Sequence, residues 1–347
     1  MINLIDLQLN ELEELMKDLG QPKFRAAQVF SWLYKEAGKG AADFNDMTNI
    51  PKTIREKLSE FSTIGLPEIL KVQESKLDGT RKYLFGLSDG NAVESVFMRY
   101  KFGNSICVSS QAGCRMGCSF CASTLGGLER NLTAGEIAGQ ILSAERDTGE
   151  RISHVVVMGS GEPFDNYENL SGFIRIINDP KGLNIGMRNI TVYTCGIVPM
   201  IERFGEDFPQ VNLAISLHAS DNERRSSLMP VNRKYPLAEL LKACKKYAEK
   251  TSRRVTFEYT LVKGVNDSRE DAERLAALLC GMLCHVNLIP LNNVVESPFK
   301  PSKRIAAFQK RLESHGLTAT VRRSLGGDID ASCGQLRRKA MEEARKG

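Results

Sequence analysis

The feature that most restricts the fold is a regular alternation that begins near residue 105. Seven apolar, strand-like runs follow one another: SICVS from Ser105, HVVVMG from His154, NITVYTC from Asn189, VNLAISLH from Val211, RVTFEYTLV from Arg254, HVNLIP from His285 and TATVRRS from Thr318. Helical stretches separate them, over 133–147, 167–177, 198–205, 236–250, 268–282 and 302–315. Near-continuous apolar strands, each followed by a helix, predict a parallel sheet covered by helices. Six to seven such units predict an α/β fold, a partial (β/α)6 barrel. The first helix opens on Thr133-Ala-Gly-Glu136, the capping-box spacing that satisfies otherwise unpaired N–H groups.

Upstream the pattern changes. Residues 1–62 predict a small helical unit, with Leu9, Leu12, Leu15, Met16 and Leu19 along one face. A second helix fits 24–34, and a third opens at Pro51, a favoured first helical position. Residues 63–104 predict a short β-meander, because KYLFGL and AVESVFMRY alternate with the turn signals Asp78-Gly79 and Asp89-Gly90-Asn91. The third division is then the barrel, 105–347. A chain of 347 residues suits about two domains at roughly 150 residues each. With 42% hydrophobic and 26% charged residues, long disorder is excluded. No apolar run approaches the roughly 18 residues of a membrane span. The acidic, amphipathic N-terminus lacks the basic start of a secretory signal. A cytoplasmic protein without a membrane partner is expected.

Nine cysteines are an odd number, and three crowd into Cys114, Cys118 and Cys121. In a reducing compartment such a cluster reads as metal-binding or catalytic, not as a disulfide framework. Structural zinc takes four ligands, usually as two C-x2-C pairs, and no second pair follows, although Cys107 or Cys333 could serve as a fourth ligand. A [4Fe-4S] cluster on three thiolates keeps one iron open for a small molecule. Polar residues also gather just after the strands: Gly161-Glu162-Pro163, Thr194-Cys195-Gly196, Ser216 with His218, then Asn292. In barrels those strand ends share one mouth and carry the chemistry. Cys195, Cys244, Cys280 and Cys284 read as small core hydrophobes.

CRMGCSFC, with Phe120 at the aromatic position, and MGSGEP together resemble the radical S-adenosylmethionine (SAM) superfamily. CVSSQAGCRMGCSFCASTLGGLERNLTAGEI, LAISLHAS, LIPLN and GDIDASCGQL narrow the resemblance to RNA adenine C2-methyltransferases of 23S rRNA and tRNA, over essentially the whole chain. A sister group that methylates C8 of the same ribosomal adenosine is similar too; Pro163 in the GEP element looks more like the C2 group. The resemblance implies methylation of adenosine 2503 in 23S rRNA and adenosine 37 in tRNA. It implies a [4Fe-4S] cluster on Cys114, Cys118 and Cys121, two SAM per turnover, and an electron donor such as flavodoxin or ferredoxin. It further implies a methylcysteine on Cys333, resolution by Cys107 through a disulfide, and Glu94 as proton acceptor. Gly161, Glu162, Thr194, Ser216, His218 and Asn292 match the SAM contacts. The family usually has Ser where the far bulkier Tyr193 stands, so the neighbouring Thr194 or a backbone group is expected to make the contact.

Read without the resemblance, Cys107 could be a buried inert thiol and Glu94 a solvent-facing strand glutamate. A net charge of +5 is only mildly basic. Basic residues are nevertheless dense at Arg224, Arg225, Arg233 and Lys234, at Arg322 and Arg323, and at Arg337, Arg338 and Lys339. With Lys23, Arg25, Lys52, Arg55 and Lys57 in the helical unit, they predict phosphate contacts to RNA. That unit is then an accessory RNA-binding domain on a monomer. A zinc-stabilised RNA-binding protein without catalysis is the reading from another class.

Overall fold

The computed structural model describes residues 1–35, 38–291 and 299–329, together with Leu336. In chain order the strands are β1 (Ile2–Asn3), β2 (Ser62–Thr63), β3 (Glu68–Glu74), β4 (Arg81–Gly86), β5 (Ala92–Tyr100), β6 (Gly103–Val108), β7 (Gln111–Gly113), β8 (Leu128–Asn131), β9 (Ile152–Val157), β10 (Ile190–Thr194), β11 (Asn212–Ser216), β12 (Val255–Leu261), β13 (Cys284–Pro290) and β14 (Ala319–Val321). The helices are α1 (Leu9–Asp18), α2 (Phe24–Leu33), α3 (Lys52–Phe61), α4 (Ala134–Thr148), α5 (Tyr167–Asn178), α6 (Val198–Asp207), α7 (Asn222–Leu228), α8 (Leu237–Thr251), α9 (Arg269–Leu279) and α10 (Ile305–Ser314).

Ten strands make one sheet, in the order β14-β13-β12-β11-β10-β9-β6-β5-β4-β3. From β6 to β14 every neighbouring pair is parallel. This is the expected partial barrel: six strand–helix units and a closing strand. Val155, Val192, Leu213, Ile215, Phe257 and Leu288 point into a continuous apolar core shared with the helices. Positions of the opposite parity, such as Cys107, Met158, Tyr193, Ser216 and Thr260, line a cavity on the concave side. The period-2 side-chain alternation of a strand produces both faces at once.

The meander is part of the same sheet. β3, β4 and β5 pair antiparallel in series, and β5 pairs with β6 in a register that sets Val96 opposite Cys107. α4 carries the expected capping box: the Thr133 hydroxyl accepts the Glu136 N–H at 3.1 Å, and the Glu136 carboxylate accepts the Thr133 N–H at 3.0 Å. The helical unit docks on this helix, where the Asp6 carboxylate accepts the Gly135 N–H at 2.8 Å. A Cβ at position 135 would sit 2.5 Å from the Ile5 backbone, so the approach requires glycine. α9 ends at Leu279, short of the expected residue 282, because Gly281 turns left-handed at φ 73°. Cys280 is consequently exposed and not a core residue. Among the described residues no helix is long and apolar enough to cross a membrane.

Candidate active site

The strand ends and the loop after β7 enclose a cavity of about 510 Å3. Cys114, Cys118 and Cys121 line it, and so do Cys107, Gly161, Glu162, Thr194, Ser216 and His218. These residues are spread over more than a hundred positions of sequence, and parallel strands that end at one level bring them together. Asn292 and Cys333 lie outside the described residues.

The cysteine loop is held at its base by antiparallel pairing of β7 with β8. Gly113, at φ 84°, lets the Gly127 carbonyl approach so closely that any Cβ would overlap it. The Cys114 N–H then donates to that carbonyl at 2.8 Å, and the Ser119 N–H donates to the Leu228 carbonyl at 2.9 Å. Burial pushes the Cys114 thiol up to about 12, with the neighbouring Cys121 adding to the rise, and burial pushes Cys118 up as well. Three thiolates in this position need a cation to offset their desolvation and mutual repulsion. Among the described residues, no three cysteine, histidine or acidic side chains form a preassembled metal cage. The thiols instead form a wall with open cavity beside them. Three soft donors facing open space fit a cluster with a free iron better than a closed tetrahedral zinc.

The loop after β9 faces that wall. Gly161 has φ 108°, and a Cβ there would lie 2.6 Å from the Gln111 side chain. The buried Glu162 carboxylate accepts the Phe164 N–H at 3.0 Å and the Cys195 N–H at 2.7 Å, joining the ends of β9 and β10. Burial raises its pKa, against the lowering effect of bonds from Thr194, Cys195 and Phe164. His218 has a positive φ of 55° and accepts the Thr260 N–H on Nδ1 at 3.0 Å, which places its proton on Nε2. Burial, aided by the nearby Arg225, lowers the imidazole to about 3, so it is a neutral donor. Its ring meets Phe120 of the cysteine loop edge-on, with centroids 4.9 Å apart.

Tyr193 lines the cavity, so the larger side chain is accommodated there. Thr194 is buried, and its hydroxyl accepts the Gly196 N–H at 3.1 Å. Cys195, expected to be a plain core residue, packs beside Met116, Cys118 and Phe120. Cys107 packs instead with Val96, Met98 and Leu325. Glu94 is not among the lining residues. Its carboxylate accepts from Lys82 at 2.7 Å, with both side chains excluded from solvent. The solvent-facing reading fails because β5 is buried on both faces from Val93 to Met98.

Arg225 also departs from expectation. It is fully buried, and its guanidinium donates to the carbonyls of Leu217, Cys195 and Ser216 and to the Asn232 side chain. It supports the floor of the site and is not available to RNA. Arg233 and Lys234 are exposed, Arg322 and Arg323 line the cavity, and Arg337, Arg338 and Lys339 lie outside the described residues. Two further supports carry no local sequence signal. The Gln111 side chain accepts the Glu162 N–H at 2.8 Å, and the Asn266 side chain donates to the carbonyls of His218 and Thr260 at 2.7 and 2.8 Å.

A partial barrel with a three-thiol loop, a Gly-Glu-Pro turn and a neutral histidine over one cavity defines a radical SAM enzyme. The family model for the radical SAM superfamily matches residues 108–276. A second model, described as a ribosomal RNA large subunit methyltransferase N-terminal domain, matches residues 2–64. The chain is 55% identical over 344 residues to a probable dual-specificity RNA methyltransferase RlmN of Clostridium perfringens, covering 99% of this chain and 98% of that one. It is 57% identical over 341 residues to the corresponding protein of Pelotomaculum thermopropionicum, covering 97% and 92%. The crystal structure of a radical SAM methyltransferase from Sphaerobacter thermophilus superposes with a TM-score of 0.92 at 47% identity, over 96% of this chain and 99% of that one. The chain belongs to the RlmN family of radical SAM RNA methyltransferases. Membership implies a [4Fe-4S] cluster and SAM.

Proposed function

We propose that this protein methylates C2 of adenosine 2503 in 23S rRNA and of adenosine 37 in tRNA, as a cytoplasmic monomer using two SAM per turnover. The observation that carries the reading is that Cys107 opens on the same cavity as Cys114, Cys118 and Cys121. Cys107 packs with Val96, Met98 and Leu325, apart from the group that holds Cys118, so it is not gathered with the loop thiols as the fourth ligand a structural zinc requires. The relatives named dual-specificity RNA methyltransferases support both RNA substrates.

C2 of adenine is electron-poor, so polar attack on a SAM methyl fails and a carbon radical is needed. Cys114, Cys118 and Cys121 would hold the cluster, whose chemistry when bound would be one-electron cleavage of SAM to a 5′-deoxyadenosyl radical. Gly161, Glu162, Thr194, Ser216 and His218, which line the cavity, would hold SAM there, with Asn292 the further contact that the family resemblance implies. Cys333 takes a methyl group by displacement and, after losing a hydrogen atom, joins that carbon to C2. A base removes the C2 proton; of the two candidates, Cys107 lines the cavity, whereas the Glu94 carboxylate is paired with Lys82 outside it. Loss of one electron along with that proton, which the oxidised cluster would take back, restores the aromatic ring. The Cys107 thiolate then attacks the Cys333 sulfur, the sulfur–carbon bond breaks, and the released carbon takes up a proton to become the methyl group, leaving a disulfide. Two electrons reduce that disulfide before the next turnover. A donor such as flavodoxin or ferredoxin supplies the electron for SAM cleavage.

The test is mass mapping of 23S rRNA and tRNA from cells whose own enzyme is deleted and replaced by this chain. Methyl groups on C2 at both adenosines are expected. A methyl group on C8 identifies the sister activity. No methyl group, together with zinc and no iron in the anaerobically purified protein, identifies the binding module.

A further inference from the structure

One wall of the cavity is irregular chain. Arg322–Gly327 and Ile329 line it, directly after the last strand. At its near end the Arg322 N–H donates to the Leu288 carbonyl at 2.8 Å. Its far end is tied to a distant element, the turn between β3 and β4. The Gly326 N–H donates to the Asp78 carboxylate at 2.9 Å. The Ser75 hydroxyl and the Lys76 N–H donate to the two oxygens of Asp328, at 2.5 and 2.8 Å. Asp78 thus accepts from the wall, and Asp328 reaches back to the turn.

The turn is a firm anchor. The Ser75 N–H donates to the Thr80 carbonyl at 2.8 Å, the Thr80 N–H donates to the Asp78 side chain at 3.0 Å, and Arg99 donates to the Gly79 carbonyl at 2.6 Å. Bonds from Gly326 and Thr80 outweigh burial and hold the Asp78 carboxyl down to about 2, so the tie is charge-assisted. The apolar packing of the wall is with the Cys107 side of the cavity. Leu325 packs with Cys107, Val96 and Met98, whereas Cys118 and Phe120 belong to a separate apolar group with Cys195 and Met229.

We infer that Asp78 and Asp328 clasp the C-terminal wall of the cavity to the β3–β4 turn, and that they are positioning residues for methyl transfer and not for SAM cleavage. The second half rests on the proposed roles of Cys107 and Cys333. Leu325 packs with the Cys107 group, and Cys333 follows Asp328 by five residues in sequence, a chain reach of at most about 18 Å. Displacing Asp328 is therefore expected to disturb the Cys107 side of the cavity and the chain that leads on to Cys333, while leaving the cysteine loop supported by β7 and β8.

The test uses Asp328→Ala in the full-length holoenzyme, with Asp328→Asn as the conservative variant that still accepts one bond. Hydrogen exchange of the amides of residues 322–329 is expected to quicken at least about tenfold in the alanine variant, Gly326 foremost, and less in the asparagine variant. The yield of 5′-deoxyadenosine per methylated adenosine is expected to rise several-fold, with SAM cleavage within about twofold of the parent. Unchanged exchange overturns the clasp. Faster exchange with an unchanged yield ratio overturns the positioning role. If Asp328→Ala loses iron, the same two readings on Asp328→Asn decide. Failure of the functional reading shows separately, as full methylation by Cys333→Ala, and leaves the exchange result standing.

Discussion

The Lys82 ammonium and the Glu94 carboxylate meet at 2.7 Å with 1% and 3% of their side chains exposed. Breaking a pair so buried takes the nearest counter-charge away from the group that remains. Lys82→Met is expected to lower the unfolding free energy by about 3–5 kcal/mol, and adding Glu94→Gln to recover much of that loss. Denaturant unfolding of both variants checks it. A cost below about 1 kcal/mol for Lys82→Met would show that water reaches the pair.

Cys118 is expected to be indispensable for the metal. Two remaining thiolates cannot hold a three-site cluster, so Cys118→Ala is expected to lose iron, sulfide and all SAM cleavage while retaining the fold. Metal analysis and circular dichroism on anaerobic protein measure it. Full iron content would refute the ligand assignment.

Arg225 and the neighbouring Arg233 and Lys234 are expected to separate cleanly. Arg225→Ala strips a buried support from three carbonyls and is expected to lower the melting temperature and weaken SAM binding. The exposed pair Arg233→Ala with Lys234→Ala is expected to leave stability unchanged and to reduce the salt slope of RNA binding by about 0.7–0.9 per lost contact. A salt titration of RNA affinity and thermal melts distinguish the two. An unchanged slope for the double variant places the phosphate contacts elsewhere.

Glu258 predicts a pH dependence. It is fully buried on β12, and the Asn287 side chain donates to both its oxygens, at 2.9 and 3.2 Å. Burial raises the carboxyl from 4.5 to about 7, with Arg322 and Asn287 opposing the rise. The folded state therefore holds its proton more tightly than the unfolded state does. Stability relative to Glu258→Gln is greatest below pH 4.5, falls between 4.5 and about 7, and is level above. The total change is up to about 3 kcal/mol. Melting both proteins across pH 5 to 8.5 reads the difference, and parallel curves would show that Glu258 ionises freely.

Local periodicity and spacing were enough for much of this protein. Seven strands, six helices and their order follow from apolar runs and 3.6-residue repeats, since both record which face each element buries. The cysteine loop, the Gly-Glu-Pro turn and the residues after β10 and β11 were legible because a barrel brings its strand ends to one mouth. What escaped depends on partners distant in sequence. Strand alternation alone could not show that β5 lies inside a ten-stranded sheet, so the burial of Glu94 against Lys82 was invisible. Arg225 sits in a basic run indistinguishable from a solvated face until the carbonyls of Cys195, Ser216 and Leu217 close around it. Asp78 reads as a turn residue, and only the tertiary structure brings it to Gly326, because a hydrogen bond between positions that far apart leaves no periodic trace in the chain.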